Sequence, residues 1–80
     1  MKNKHHTITI EELMEARHSM DVVLASSSRE RKRIVGRLNG NLEIYVGNIL
    51  VWTGTQSYSA MEQYNAITEE YIDPLKNFKI

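Results

Sequence analysis

The sequence predicts a single α+β domain, built as a helix, a short strand, a three-stranded antiparallel meander and a second helix. Two observations support this fold. Asn39-Gly40 and Gly47-Asn48 each separate two β-prone runs at the spacing of two-residue hairpins. Apolar residues at helical spacing, preceded by capping signals, flank those strands on both sides. A chain of 80 residues has room for one such domain.

The first helix is predicted at about 10–19. Thr9 stands three residues before Glu12, which is the spacing of a capping box. Ile8 and Leu13 occupy the two positions of a hydrophobic staple. Carboxylates in the first turn are favoured by the positive end of the helix dipole. These signals together fix where the helix begins.

Residues 21–32 are compatible with two structures. The run at 22–25 favours a short strand, because β-branched valine fits the pleat. Apolar residues continue at helical spacing through this region, so a single long helix that continues from the first helix is an alternative structure. The three serines at 26–28 compete with a helix for backbone hydrogen bonds. We therefore favour a strand followed by a polar and basic loop at 26–32.

The meander is predicted as strands at about 33–38, 41–46 and 49–54. Two-residue turns would place Val35 opposite Ile44 and Ile34 opposite Tyr45. The face expected to form the core holds Val35, Leu42, Ile44, Val46, Ile49 and Val51. The other face holds Ile34, Glu43, Tyr45, Leu50 and Trp52.

The second helix is predicted from Ser59 and Glu62, which repeat the capping-box spacing. Its apolar stripe consists of Ala60, Met61, Tyr64, Ile67, Tyr71 and Ile72. Pro74 ends the helical run. Outside the elements, residues 1–8 are expected to be a flexible polar N-terminus and residues 74–80 an apolar C-terminal tail.

Composition narrows the classes of function. The chain has no cysteine, so it has neither a disulfide framework nor a thiolate metal site. It contains no run of about 18 apolar residues, the length that a membrane span needs. Its histidines, His5, His6 and His18, lack the spacing of a metal site. Nucleophile and phosphate-loop motifs are also missing. We expect a cytoplasmic, non-enzymatic protein without a cofactor or a membrane partner.

Two features of the sequence indicate a binding surface. A basic segment at 29–37 carries Arg29, Arg31, Lys32, Arg33 and Arg37 against Glu30 alone, although 10 basic and 10 acidic residues balance overall. The aromatic sheet face would present Ile34, Tyr45, Leu50 and Trp52, and Tyr and Trp are enriched at interface hot spots. The nine residues are our candidate partner-binding set.

We therefore predict a small interaction protein that binds a macromolecular partner, such as an inhibitor or adaptor of the kind that phages encode. A protein partner is the leading expectation. One alternative is a nucleic-acid-binding module that uses the basic segment at 29–37. Another is an oligomeric protein that binds a small molecule or nucleotide. A homo-oligomer also remains open, because so short a chain buries only a small core.

Residues 33–72 bear a resemblance to two families of small DNA-binding domains. Three strands are followed by Gly54-Thr55, Ala60 and Tyr64-Asn65, a pattern that resembles the arm-binding domain of tyrosine recombinases. It is also similar to ethylene-response-type domains of plants. Both families place a three-stranded sheet in the major groove and support it with one helix. In this sequence the predicted exposed face carries no arginine or lysine, which departs from both.

Overall fold

The computed structural model describes residues 7–68, and these form one four-stranded antiparallel sheet with two helices. The elements are α1 (Ile10–His18), β1 (Val23–Ser27), β2 (Lys32–Gly36), β3 (Leu42–Val46), β4 (Ile49–Gly54) and α2 (Ser57–Ala66). The strands lie in the order β1-β2-β3-β4. The predicted α+β class is confirmed.

Helix α1 begins with the predicted capping box. The backbone N–H of Glu12 donates to Thr9 Oγ1 at 3.1 Å, and the N–H of Thr9 donates to Glu12 Oε1 at 2.9 Å. Ile8 is buried, with its N–H bonded to Asn65 Oδ1 at 2.8 Å and its carbonyl to Asn65 Nδ2 at 2.9 Å. Assigning Ile8 to a flexible segment at 1–8 was therefore wrong, and residues 1–6 lie outside the described part of the chain.

The segment at 21–32 contains a strand, so the long-helix alternative is excluded. β1 runs two residues further than the predicted 22–25 and pairs with β2. The predicted loop at 26–32 is shortened to 28–31, because its first two residues belong to β1 and Lys32 begins β2. Antiparallel pairing with β2 satisfies the backbone groups that the serines would otherwise leave open.

The β2–β3 turn differs from the predicted two-residue hairpin, because three residues, 38–40, form the loop. The N–H of Arg37 donates to Asn41 O at 2.8 Å, and the N–H of Gly40 donates to Arg37 O at 2.9 Å. Gly40 has φ +92°, as in loops where a type I turn is followed by a glycine bulge. Asn39 acts through its side chain, with Oδ1 accepting from the N–H of Asn41 at 3.0 Å.

This extra loop residue shifts β2 by one position along β3. Ile34 lies opposite Ile44, and Val35 lies opposite Glu43. Because side chains alternate between faces, a shift of one residue moves every β2 side chain to the other face. Ile34 is fully buried in the core, so its assignment to the aromatic face was wrong. Val35 lies opposite Glu43 and outside the core cluster, although it is only 4% exposed, so its assignment to the core face was also wrong.

The β3–β4 turn is the predicted two-residue turn at Gly47-Asn48, and Gly47 has φ +61°. A β-bulge follows, with Val51 as the extra residue in β4, so that Trp52 lies opposite Ile44. Trp52 therefore packs against the core side, and its assignment to the aromatic face was also wrong. β1 carries a similar bulge at Leu24.

Both helices pack on one face of the sheet, the inner face. The buried cluster there consists of Ile8, Leu13, Leu24, Ala25, Ile34, Leu42, Ile44, Val46, Ala60, Tyr64 and Ile67. Helix α2 begins at Ser57 with Gln56 as N-cap and has no side-chain cap bond, so the predicted capping box at Ser59 was wrong. Tyr71, Ile72 and the tail at 74–80 lie outside the described residues.

Candidate functional site: the outer sheet face and its two ends

The outer face is the side of the sheet that faces away from the two helices. The register places Val23, Ser26, Arg33, Val35, Arg37, Glu43, Tyr45, Leu50 and Thr53 on it. Within residues 7–68, no helix packs on this face, because α1 and α2 both contribute to the core cluster opposite. Four of the nine candidate residues, Arg33, Arg37, Tyr45 and Leu50, are thus brought together here.

Polar side chains on the outer face are joined into one network. The Arg33 guanidinium lies 4.6 Å from the centre of the Tyr45 ring, and the Tyr45 hydroxyl donates to Glu43 Oε1 at 2.9 Å. Arg37 Nη2 and Nε lie 2.7 Å and 2.9 Å from the same oxygen. The hydrogen bonds from Arg37 and Tyr45 lower the pKa of Glu43, so this carboxylate is ionised at neutral pH. These contacts hold two guanidinium groups in position on the face.

Lys32 does not belong to the exposed basic segment. Its side chain is 2% exposed, and Nζ donates to Tyr64 O at 2.6 Å and to Ile67 O at 2.8 Å. The ammonium group also lies 4.0 Å from the Tyr64 ring centre. It satisfies carbonyls at the C-terminal end of α2, where the helix dipole favours a cation. Placing Lys32 in a partner-binding surface was therefore wrong.

Burial also changes the acidity of Lys32. Removal from water lowers its pKa to about 8, against an opposing contribution from the Glu30 carboxylate. Sequence reasoning could not separate Lys32 from its arginine neighbours, because the separation depends on which face each β2 residue occupies. Lysine also suits this position, since its single ammonium group can bond two carbonyls in a narrow space.

The basic end is the end of the sheet at which the 28–31 turn and the Gly47 turn lie next to each other. Arg33 Nη1 donates to Gly47 O at 3.0 Å, and the N–H of Gly47 donates to Arg31 O at 2.7 Å. A cleft of about 450 Å³ lies here, lined by Ser26, Ser27, Ser28, Arg31, Lys32, Arg33, Gly47 and Asn48. Arg29 lies in the 28–31 turn. The basic segment is therefore divided, with Arg29 and Arg31 at the basic end and Arg37 on the outer face.

The apolar end lies at the opposite end of the strands. It consists of Met20, Val22 and Leu38. Their side chains are 74%, 63% and 97% exposed. They line a cleft of about 730 Å³ that also includes Arg37 and Glu43, so the apolar end continues into the outer face. Sequence reasoning missed this site, because it placed Leu38 inside a strand. The sequence signal for this site was a leucine, Leu38, directly before the Asn39-Gly40 turn.

Met20 adopts a backbone conformation that usually belongs to glycine. It follows the end of α1 with φ +62°; its N–H donates to Arg17 O at 2.9 Å, and the N–H of Asp21 donates to Ala16 O at 3.3 Å. This is the Schellman ending of a helix, where glycine is the common residue. A residue with a Cβ costs about 1–2 kcal/mol there. The sequence therefore holds an exposed methionine at a strained position.

The nine candidate residues thus divide into three groups. Arg33, Arg37, Tyr45 and Leu50 share the outer face, and Arg29 and Arg31 lie in the turn at the basic end. Ile34, Lys32 and Trp52 lie on the inner side of the sheet. No group of three histidine or acidic side chains within 7–68 is placed to hold a metal ion.

Comparison with known proteins adds no assignment. No protein-family model, no curated protein and no solved structure matches this chain. Neither of the two described helices is long and apolar enough to cross a membrane.

Proposed function

We propose that this chain is a non-enzymatic interaction protein that binds a protein partner through the apolar end and the adjoining outer face. The exposure of Met20, Val22 and Leu38 around one cleft carries the proposal. Single exposed apolar residues are ordinary on protein surfaces, whereas a cluster rimmed by polar groups is typical of an interaction site. Arg37 and Glu43 supply that polar rim.

The outer face supports the same proposal. Tyr45 offers a large ring with few rotatable bonds, and Leu50 beside it is 47% exposed. Tyrosine and arginine are enriched at the centres of protein interfaces. The partner surface that fits is an apolar segment, flanked by charged groups that can meet the Arg37–Glu43 pair.

Affinity capture from the native host tests the proposal. The baits are the unaltered chain, a Val22→Ser/Leu38→Ser variant, and a Glu11→Gln control on the exposed side of α1. We expect one partner that the unaltered chain and the control retain and the double variant loses. Titration of that partner should show binding weakened at least about tenfold, since buried apolar anchors are worth about 2 kcal/mol or more.

Two results would contradict the proposal. One is the same set of captured proteins with all three baits, provided that circular dichroism shows the double variant folded. The other is a homodimer in sedimentation equilibrium that Leu38→Ser dissociates. In that case the apolar end would bind a second copy of this chain in place of a different protein.

A second candidate function is nucleic-acid binding through the outer face. The observed register places Arg33 and Arg37 on that face, beside Tyr45, where the predicted register had left it without a basic residue. Arginine and an aromatic ring on one open sheet can contact phosphates and stack on bases. Binding should then weaken steeply as salt rises. A mobility-shift titration that shows no complex at low salt would remove this candidate.

A further inference from the structure

The cleft at the basic end is lined by hydrogen-bond donors from three parts of the chain. Ser26 lies in β1, Ser28 and Arg31 lie in the following turn, and Asn48 lies in the β3–β4 turn. Serine hydroxyls, guanidinium groups and an amide are the groups that bind oxyanions. No carboxylate lines the cleft among the described residues. The acid nearest in sequence, Glu30, accepts a hydrogen bond from Ser27.

Two arginines in this cleft are positioned by the backbone. Arg33 is held over the Tyr45 ring and by its bond to Gly47 O at 3.0 Å. Arg31 has φ +60°, a conformation that costs an ordinary residue about 1–2 kcal/mol. A Cβ on Gly47 would lie 3.2 Å from Arg31 Nη2, which shows that this guanidinium lies against the turn. Both guanidinium groups therefore converge on the same turn.

Arg31 has a charge that the described chain does not neutralise. Its guanidinium forms no ion pair and no side-chain hydrogen bond with any residue in 7–68. The backbone of Arg31 is held by the turn, because its N–H donates to Ser28 O at 3.3 Å and its carbonyl accepts from the N–H of Gly47 at 2.7 Å, but its guanidinium has no acidic partner within 7–68. Strain of this kind is concentrated at binding sites, where the fold stabilises an arrangement that the ligand needs. The missing counterpart is an anion.

We propose that the basic-end cleft binds a phosphate monoester. A monoester dianion offers three terminal oxygens and can accept from two guanidinium groups and the serine hydroxyls at once. A diester carries one negative charge and two free oxygens, so it would use fewer of these donors. This inference does not depend on the protein-binding function proposed for the apolar end, because the two clefts share no residue.

NMR titration with inorganic phosphate at constant ionic strength tests the site directly. Amide signals of Ser28, Arg31 and Asn48 should shift and saturate together. Arg31→Gln should weaken binding about tenfold or more, since a hydrogen bond between charged groups is worth about 1.5–3 kcal/mol. Arg17→Gln, which removes an arginine of α1 whose side chain bonds Ser57 and Gly40 away from the basic end, should leave the affinity within about twofold.

A second variant guards against a folding defect in Arg31→Gln. Ser28→Ala changes an exposed turn residue and should weaken phosphate binding several-fold with an unchanged thermal midpoint. The proposal fails if the signals do not saturate. It also fails if Arg31→Gln and Arg17→Gln weaken binding equally, because that result would indicate only a general attraction to positive charge.

Further ligands identify the source of the phosphate. Phosphoserine should bind at least as well as inorganic phosphate, and dimethyl phosphate should bind clearly less. Tighter binding of phosphoserine within a glycine pentapeptide would support a phosphorylated protein as the source, and equal binding a free phosphorylated molecule. Equal affinity for the diester would overturn the proposal and favour a nucleic-acid backbone instead.

Discussion

The two ends of the sheet have the same construction and opposite chemistry. Each end has a cleft between two chain connections, and each holds a non-glycine residue with positive φ, Met20 at the apolar end and Arg31 at the basic end. One cleft presents exposed apolar side chains, and the other is lined by serine, asparagine and basic residues. The difference teaches that a strained backbone position can carry an apolar side chain at one end and a charged one at the other, so strain alone does not indicate the chemistry of a surface.

The largest effect is expected in the core beneath both ends. Ile34→Ala should lower the free energy of unfolding by about 2–5 kcal/mol, because the side chain is fully buried. Leu50→Ala, on the outer face of the same sheet, should cost less than about 1 kcal/mol. Urea denaturation measures both. Similar losses for the two variants would mean that the inner and outer faces are assigned wrongly.

Lys32→Met, at the basic end, should give the next largest loss in the free energy of unfolding. The variant leaves the Tyr64 and Ile67 carbonyls without their donor, at a cost of about 1–3 kcal/mol. Arg31→Gln, an exposed neighbour, should stay within about 0.5 kcal/mol. An unchanged stability in Lys32→Met would show that the buried ammonium does not hold α2 to the sheet.

Lys32 should also make stability depend on pH. Its pKa is about 8 in the folded chain and about 10.4 when unfolded, so between these values the unfolded state holds more protons. The free energy of unfolding should therefore rise from pH 8 towards pH 9.5, and this rise should be absent in Lys32→Met. The comparison stops below pH 10, because burial raises the pKa of Tyr64 and reverses the slope above that value.

Glycine substitutions compare the two strained positions directly. Met20→Gly and Arg31→Gly should each raise the free energy of unfolding by about 0.5–1 kcal/mol, the relief of positive φ less the entropy cost of glycine. Met20→Gly should weaken partner capture only, and Arg31→Gly phosphate binding only. Met14→Gly, inside α1, is the control and should destabilise by about 1 kcal/mol. If either variant lost both partner capture and phosphate binding, the result would indicate that the two ends form one site.

The smallest stability change is expected for Leu38→Ser. The side chain is 97% exposed, so the free energy of unfolding, measured by thermal denaturation, should change by no more than about 0.5 kcal/mol. Partner capture should nevertheless fall, because the apolar end loses its most exposed side chain. A marked loss of stability would show that Leu38 packs against the fold, and the apolar end would no longer be a free surface.

Two signals that act over three or four residues were predictable from the sequence, whereas the same capping-box spacing at Ser59 and Glu62 formed no cap. The capping box at Thr9 and the turn at Gly47 occur where the pattern placed them, because each depends on hydrogen bonds between near neighbours. The fold class follows from such signals together. Strand order also follows, since short connections join antiparallel neighbours.

Single-residue irregularities were not predictable, and they decide which side chains are exposed. The loop at 38–40 gained one residue because Asn39 bonds through its side chain, and Val51 added one residue to β4. These two events moved Ile34 and Trp52 to the core and Arg33 to the outer face. The apolar end was missed for the same reason, since Leu38 becomes a loop residue only in the observed register.

The bulges at Leu24 and Val51 lie in the two outermost strands, while the inner pair, β2 and β3, is regular. An outermost strand with regular spacing offers a template on which another chain can add, strand upon strand, into a fibril. A bulge interrupts the repeat of donors and acceptors, so an incoming strand loses its register there. The same irregularities that sequence reasoning did not predict thus disfavour the addition of a further strand to either outermost strand of this small sheet.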